Sequence, residues 1–124
     1  MKLVTLMENS TACCELQSEH GLSLYLEIGD QKILFDAGQS AAFADNAVKL
    51  GIDLTAVDAA ILSHGHYDHG GGLKCFREIN PEAPIYLSRH AFGIHKNADG
   101  KDIGLDRALM EERNLIFVDD IQKI

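Results

Sequence analysis

Apolar and polar residues alternate from Leu22 to Ile28, with Leu22, Leu24, Leu26 and Ile28 on one face and Ser23, Tyr25 and Glu27 on the other. A period of two is that of a half-buried strand. Gly29-Asp30 supplies turn chemistry and a second strand follows from Gln31 to Asp36, which predicts a hairpin. Lys2 to Met7 suits an earlier strand. The period then changes: Phe43, Ala47 and Leu50 recur at helical spacing after Ser40, which can cap a helix, and Gly51 stands where a left-handed residue closes one. Asp58 to Ser63 contains the short apolar run Ala59-Ala60-Ile61-Leu62 of a buried strand. Leu73, Phe76, Arg77 and Ile79 suit a helix ended by Pro81, and Pro84 to Leu87 a further strand. Residues 93–104 read as a loop, Leu105 to Arg113 as a helix and Leu115 to Val118 as a last strand. Strands alternating with helices predict an α/β layered fold.

Length and composition narrow the class. A chain of 124 residues, 46% hydrophobic and 24% charged, is expected to be one globular domain or part of one. No repeat, low-complexity tract or linker divides it. Nineteen acidic against eleven basic residues give a net charge of −8, which argues against general nucleic-acid binding. No apolar run approaches the roughly 18 residues of a membrane span, and the stretch Leu3 to Met7 is too short for a signal peptide, so a cytoplasmic protein without a membrane partner is expected. Three cysteines, Cys13, Cys14 and Cys75, suggest neither a disulfide framework nor a zinc ribbon. They are expected to be small buried residues in a reduced compartment.

The chemistry concentrates in Ser63-His64-Gly65-His66-Tyr67-Asp68-His69-Gly70-Gly71-Gly72, immediately after the apolar strand. If that stretch is extended, His64, His66 and Asp68 face the same way and the following bend turns His69. Imidazole and carboxylate are ligands of zinc and its first-row neighbours. Shuffling this composition yields His-x-His-x-Asp-His roughly once per thousand chains. A surface loop decorated with histidines is the alternative, but packing gives little reason to crowd four ionisable residues at a strand end. Gly38 and Gly70 to Gly72 are read as backbone-permissive positions. His20, just before a strand, either touches the site or, as the favoured expectation, is a surface or locally hydrogen-bonded residue. His90 and His95, five apart, miss the four-residue spacing of ligands on one helical face and are not expected to bind metal. Tyr67 either faces a substrate or packs beside the loop, and Cys75 is assigned to the core with Leu73 and Phe76.

The segment Ser63 to Gly70 resembles the defining motif of the metallo-β-lactamase superfamily, and Ile33-Leu34-Phe35-Asp36-Ala37-Gly38-Gln39-Ser40 resembles its preceding strand-and-loop signature. Glu19-His20-Gly21-Leu22-Ser23, Leu50-Gly51-Ile52-Asp53 and Gly70-Gly71-Gly72-Leu73 further resemble the branch typified by dihydropterin-ribofuranosylaminobenzene phosphate synthase. The similarity extends through nearly the whole chain. It implies the N-terminal half of an αββα sandwich, a mixed sheet with flanking helices, and residues 1–124 as a single partial domain whose C-terminal half is absent. Position by position, it implies that His64 and His66 bind one divalent ion and Asp68 and His69 a second, zinc first, with manganese or iron as alternatives. Asp36, at the end of its strand, would orient the ligand loop, the alternative being an ordinary turn aspartate.

The implied activity is that of a metal-dependent hydrolase, with metal-bound hydroxide attacking an ester or phosphoester of a small anionic substrate and Asp68 as the catalytic residue. Superfamily members complete their sites with a further histidine, a bridging acidic residue and a last histidine from a second half, so the site is expected to be incomplete in this chain. The rival expectation is a non-catalytic metal-binding or self-associating fragment. Either way a homo-oligomer is expected, formed through an exposed sheet edge or through the surface the missing half would cover.

Overall fold

The computed structural model of the chain describes residues 1–106, 108–109 and 114–119. Among these residues six strands form one mixed sheet in sequence order: β1 (Lys2–Met7), β2 (Ser23–Ile28), β3 (Gln31–Phe35), β4 (Ala59–Ile61), β5 (Ile85–Ser88) and β6 (Leu115–Val118). β1 to β3 are an antiparallel meander, whereas β3 to β6 run parallel. The expected hairpin closes at Gly29-Asp30, with Ile28 paired to Gln31. Parallel neighbours need crossovers. The helix α1 (Ala42–Lys49) provides the one from β3 to β4, and α2 (Tyr67–Gly70) with α3 (Leu73–Ile79) the one from β4 to β5. This is the mixed α/β architecture expected of a metallo-β-lactamase fold fragment.

β2 buries the opposite face from the one its apolar alternation suggests. Ser23 and Tyr25 are 0% and 3% exposed, while Leu24 and Leu26 are half-buried and Ile28 is exposed. The polar groups on the buried side have partners: Ser23 Oγ donates to the Asp36 carbonyl at 2.8 Å and Tyr25 Oη to Glu27 Oε1 at 2.8 Å. Burial, reinforced by that carboxylate, pushes the Tyr25 hydroxyl up to about 12.

The reason is which side the helices cover. Leu34, Ala60, Ile85 and Leu87 point to the Tyr25 side and form one core with Phe43 and Ala47 of α1 and with Leu73 and Phe76 of α3. The register carries the other face across the sheet as Leu24, Phe35, Ile61, Tyr86 and Ile116, all of them half-buried. Alternation reveals two faces but does not say which one a helix layer covers.

Smaller departures have local causes. Ser40 Oγ accepts from Ala42 N at 3.2 Å, but the residue at the helix start is Ala41, without a side-chain cap. Gly51 does end α1 with φ 74°. A 3₁₀ turn at Leu54–Ala56, not expected, is held by the buried Asn80, whose Nδ2 donates to the Leu54 and Val57 carbonyls at 3.1 and 2.9 Å. Cys13 and Cys14 are exposed rather than buried because residues 8–22 are a surface connection, and only Cys75 packs against the core. Buried Asn46 fastens that connection, donating to the Leu6 and Gln17 carbonyls at 2.7 and 2.9 Å. The helix expected over Leu105 to Arg113 falls largely outside the described residues. Among the described residues no helix is long and apolar enough to cross a membrane.

Candidate metal centre

β3 and β4 are parallel, with Phe35 opposite Ile61, so their carboxyl ends emerge at the same sheet edge. Asp36 leaves β3 there, its N–H still bonded to the Ile61 carbonyl at 2.9 Å. It adopts φ 58°, a left-handed conformation that Asp tolerates better than most residues. Ser63 leaves β4 beside it. The ladder ends at Leu62, whose N–H donates to Tyr86 O at 2.9 Å, and the next residues are free to bend. Local sequence then makes the site: His66 is extended, α2 begins at Tyr67, and one helical turn brings Asp68 and His69 back over His64. The turn fits because Gly72 lies against the Ala37 carbonyl, where a Cβ would collide.

As a result the side chains that converge are His64, Asp68 and His69, whose ligand atoms lie within 4.8 Å of one another. Extended alternation would have gathered His64, His66 and Asp68. Helix onset at Tyr67 replaces the period of two, and His66 stands at the rim instead. Its ring meets His64 edge-on at 4.6 Å and His95 at 5.1 Å between centroids.

The hydrogen bonds fix the histidine tautomers. The Asp36 carboxylate, 1% exposed, accepts from Ser63 N at Oδ1 (2.7 Å) and, at Oδ2, from Ser63 Oγ (2.6 Å) and His69 Nδ1 (2.7 Å). His69 therefore donates from Nδ1, which in the neutral ring leaves the lone pair on Nε2. Ser63 has given its only hydroxyl proton to Asp36, so at 2.8 Å from His64 Nδ1 its oxygen can only accept. His64 too is protonated at Nδ1 and bare at Nε2. Burial, with His69 and His66 close by, holds the His64 imidazole below its ordinary range and favours the neutral form that binds metals.

With the His69 ring neutral, its Nε2 faces Asp68 Oδ2 at 3.6 Å as a second acceptor. Two acceptors aimed at each other are unfavourable unless a cation lies between them, so the donor set fits a divalent ion. Two imidazoles and a carboxylate are ligand types that zinc and its first-row neighbours accept.

Ser63 was not singled out by the sequence, although its place next to His64 was a usable signal. His20 lies against this cluster, with Nε2 3.0 Å from Asp68 Oδ2, so the less favoured of its two expected places is the one the structure shows. His90 is exposed, whereas His95 packs on His66 and has a buried, unpaired Nε2. Tyr67 is 39% exposed. An open pocket of about 430 Å³ adjoins the cluster, lined by Glu8, Asn9, His20, Leu22, Asp68 and His69 among others.

Comparison with known proteins identifies the family. The profile of the metallo-beta-lactamase superfamily matches residues 19–122. An uncharacterized protein of Methanocaldococcus jannaschii is 34% identical over 112 residues, covering 88% of this chain and 43% of its own length. The 7,8-dihydropterin-6-methyl-4-(beta-D-ribofuranosyl)-aminobenzene-5'-phosphate synthase of the same organism is 38% identical over 86 residues, 62% of this chain and 28% of its own length. The crystal structure of Tm1679, a metal-dependent hydrolase of the beta-lactamase superfamily, superposes with a TM-score of 0.76 at 32% identity, over 95% of this chain and 42% of that one. The chain thus spans less than half the length of these relatives. With the profile match covering most of its residues and the motif lying at the strand ends just described, the chain belongs to the metallo-beta-lactamase superfamily.

Proposed function

We propose that this chain carries the first part of the active site of a metal-dependent hydrolase, and that residues 1–124 form a single partial domain of it. The observation that carries the reading is the trio His64, Asp68 and His69, whose ligand atoms lie within 4.8 Å of one another while Ser63 and Asp36 engage the two Nδ1 atoms. These three would hold a divalent ion, zinc by the character of the donors, and His66 at the rim would serve a second. Ions bound there would supply Lewis-acid polarisation of an ester or phosphoester and of the attacking water. The protein's own contribution is orientation and proton handling. Asp36 and Ser63 keep both Nδ1 protons in place, and Asp68, its carboxylate between two imidazoles, is the group positioned to take a proton from a nucleophile. The pocket of about 430 Å³ beside Asp68 and His69 has room for a small substrate. We assign that substrate as anionic, because cations in the cleft would attract it to a protein with a formal charge of −8. The exposed thiols of Cys13 and Cys14 support a reducing, cytoplasmic setting.

The test is turnover of a nitrophenyl phosphodiester and a nitrophenyl ester by the zinc-loaded protein. Zinc-dependent turnover is expected, and Asp68→Ala should abolish it. Zinc-dependent turnover unaffected by Asp68→Ala would overturn the role given to that residue.

One observation favours a second reading, a self-associating fragment without turnover. The half-buried face bearing Leu24, Phe35, Ile61, Tyr86 and Ile116 is covered by no described helix. A second copy related by a twofold axis would cover it with the same apolar surface. Zinc binding with no turnover in an obligate dimer would select this reading over the hydrolase.

A further inference from the structure

The connection between β1 and β2, outside the two motifs that carry the superfamily resemblance, places a hydrogen-bonded chain on Asp68. The backbone N–H of Gly21 donates to Asn9 Oδ1 at 3.0 Å. A backbone N–H can only donate, so this bond decides which end of the Asn9 amide is oxygen. The other end, Nδ2, lies 3.3 Å from His20 Nδ1 and can only donate. His20 Nδ1 must then be the bare nitrogen of a neutral imidazole, and the proton sits on Nε2, 3.0 Å from Asp68 Oδ2. One backbone amide thus sets an amide orientation, a tautomer and finally a hydrogen bond to a carboxylate of the candidate centre.

The backbone holds both ends of this chain against each other. Leu22 N donates to the Asp68 carbonyl at 3.3 Å, and a Cβ on Gly21, whose φ is +154°, would collide with that same carbonyl. His20 therefore approaches Asp68 from a segment in direct backbone contact with it, although its own side chain is 64% exposed. An exposed pair of this kind contributes little to stability. Its consequence for Asp68 is that Oδ2 accepts from His20 Nε2 at 3.0 Å, which restrains rotation of the carboxylate.

We propose that Asn9 and His20 are positioning residues for Asp68, with Asn9 selecting the His20 tautomer and His20 Nε2–H fixing the carboxylate beside His69. This rests on the metal-binding reading of the trio for its effect on affinity, but not for the tautomer. Glutamine at position 20 offers an acceptor to Asn9 and a donor to Asp68, whereas alanine offers neither.

The test uses the 124-residue protein with cobalt(II) as a visible probe and nitrogen NMR of the His20 ring in the metal-free state. His20→Ala should weaken cobalt binding roughly 10- to 100-fold and alter the ligand-field spectrum, and His20→Gln should restore the affinity to within about threefold. The thermal midpoint should stay unchanged in both. The metal-free ring should carry its proton on Nε2, and Asn9→Ala should release that preference. Unaltered cobalt affinity in His20→Ala, or failure of glutamine to rescue a loss, would overturn the positioning role. A proton found on Nδ1 would overturn the Asn9 step. If the folded wild-type protein binds no cobalt, the metal reading fails, and the nitrogen spectra alone then support or refute the Asn9–His20 arrangement.

Discussion

His69 Nδ1 donates to Asp36 Oδ2 at 2.7 Å, and through this bond the end of one parallel strand orients the ring of a histidine 33 residues later. The same oxygen takes the Ser63 hydroxyl proton and so also decides the tautomer of His64. A single buried carboxylate thereby orients two of the three converging side chains.

Removing it should be felt in two separate measurements. Asp36→Ala is expected to weaken zinc affinity roughly 10- to 100-fold, as is usual when a carboxylate behind a ligand histidine is lost. It also leaves Ser63 N and two side-chain donors without their acceptor, which should lower stability by about 1–3 kcal/mol in denaturant unfolding. An unchanged zinc dissociation constant in a folded variant would reduce Asp36 to a turn residue.

Ser63→Ala separates the two histidines. His69 keeps its bond to Asp36, while His64 loses the oxygen that receives its Nδ1 proton. Calorimetric titration should show weaker zinc binding than in the wild type but stronger than in Asp36→Ala. A loss as large as that of Asp36→Ala would mean that Ser63 acts on more than His64.

Acid should weaken the fold and the site together. His64 is held below its ordinary imidazole range, so as pH falls through about 6.5 the unfolded chain takes up a proton that the folded chain resists. Its contribution to stability is therefore present above that pH and lost below it, and protons compete with metal in the same direction. The unfolding midpoint in urea, followed from pH 7.5 to 5.5, should decline, and His64→Gln should flatten the decline. A midpoint that rises on acidification would contradict the assignment.

Gly72→Ala tests the close approach that lets the motif turn. The added methyl group would meet the Ala37 carbonyl and also lies 2.7 Å from Ser40 O and 2.8 Å from Phe43 Cε1. A cost of about 1–3 kcal/mol, the usual range for overpacking, is expected in thermal or urea unfolding. Unaltered stability would show that the loop can move aside.

Much of this architecture was legible in the chain because it is encoded locally. The hairpin at Gly29-Asp30, the end of α1 at Gly51 and the strand ending before His64 each follow from a short pattern with a single meaning. What was misread depends on partners distant in sequence. Alternation in β2 could not reveal that α1 and α3 lie on the Tyr25 side, which leaves the leucines half-buried. Spacing in the motif could not reveal that a helical turn starts at Tyr67 and sets His69 beside His64 and Asp68, with His66 edge-on to His64. His20 was set aside because its two partners, Asn9 and Asp68, are 11 and 48 positions away, beyond any local pattern.

The central claim is that His64, Asp68 and His69 form a cation site poised by Asp36 and Ser63. Equilibrium dialysis of the folded protein against zinc, followed by elemental analysis, tests it most directly beside a His64→Ala/His69→Ala variant shown to fold by circular dichroism. Retention of at least one zinc ion per wild-type chain, lost from the variant, is the predicted result. Wild-type protein that retains no zinc, or a double variant that retains as much as the wild type, would contradict it.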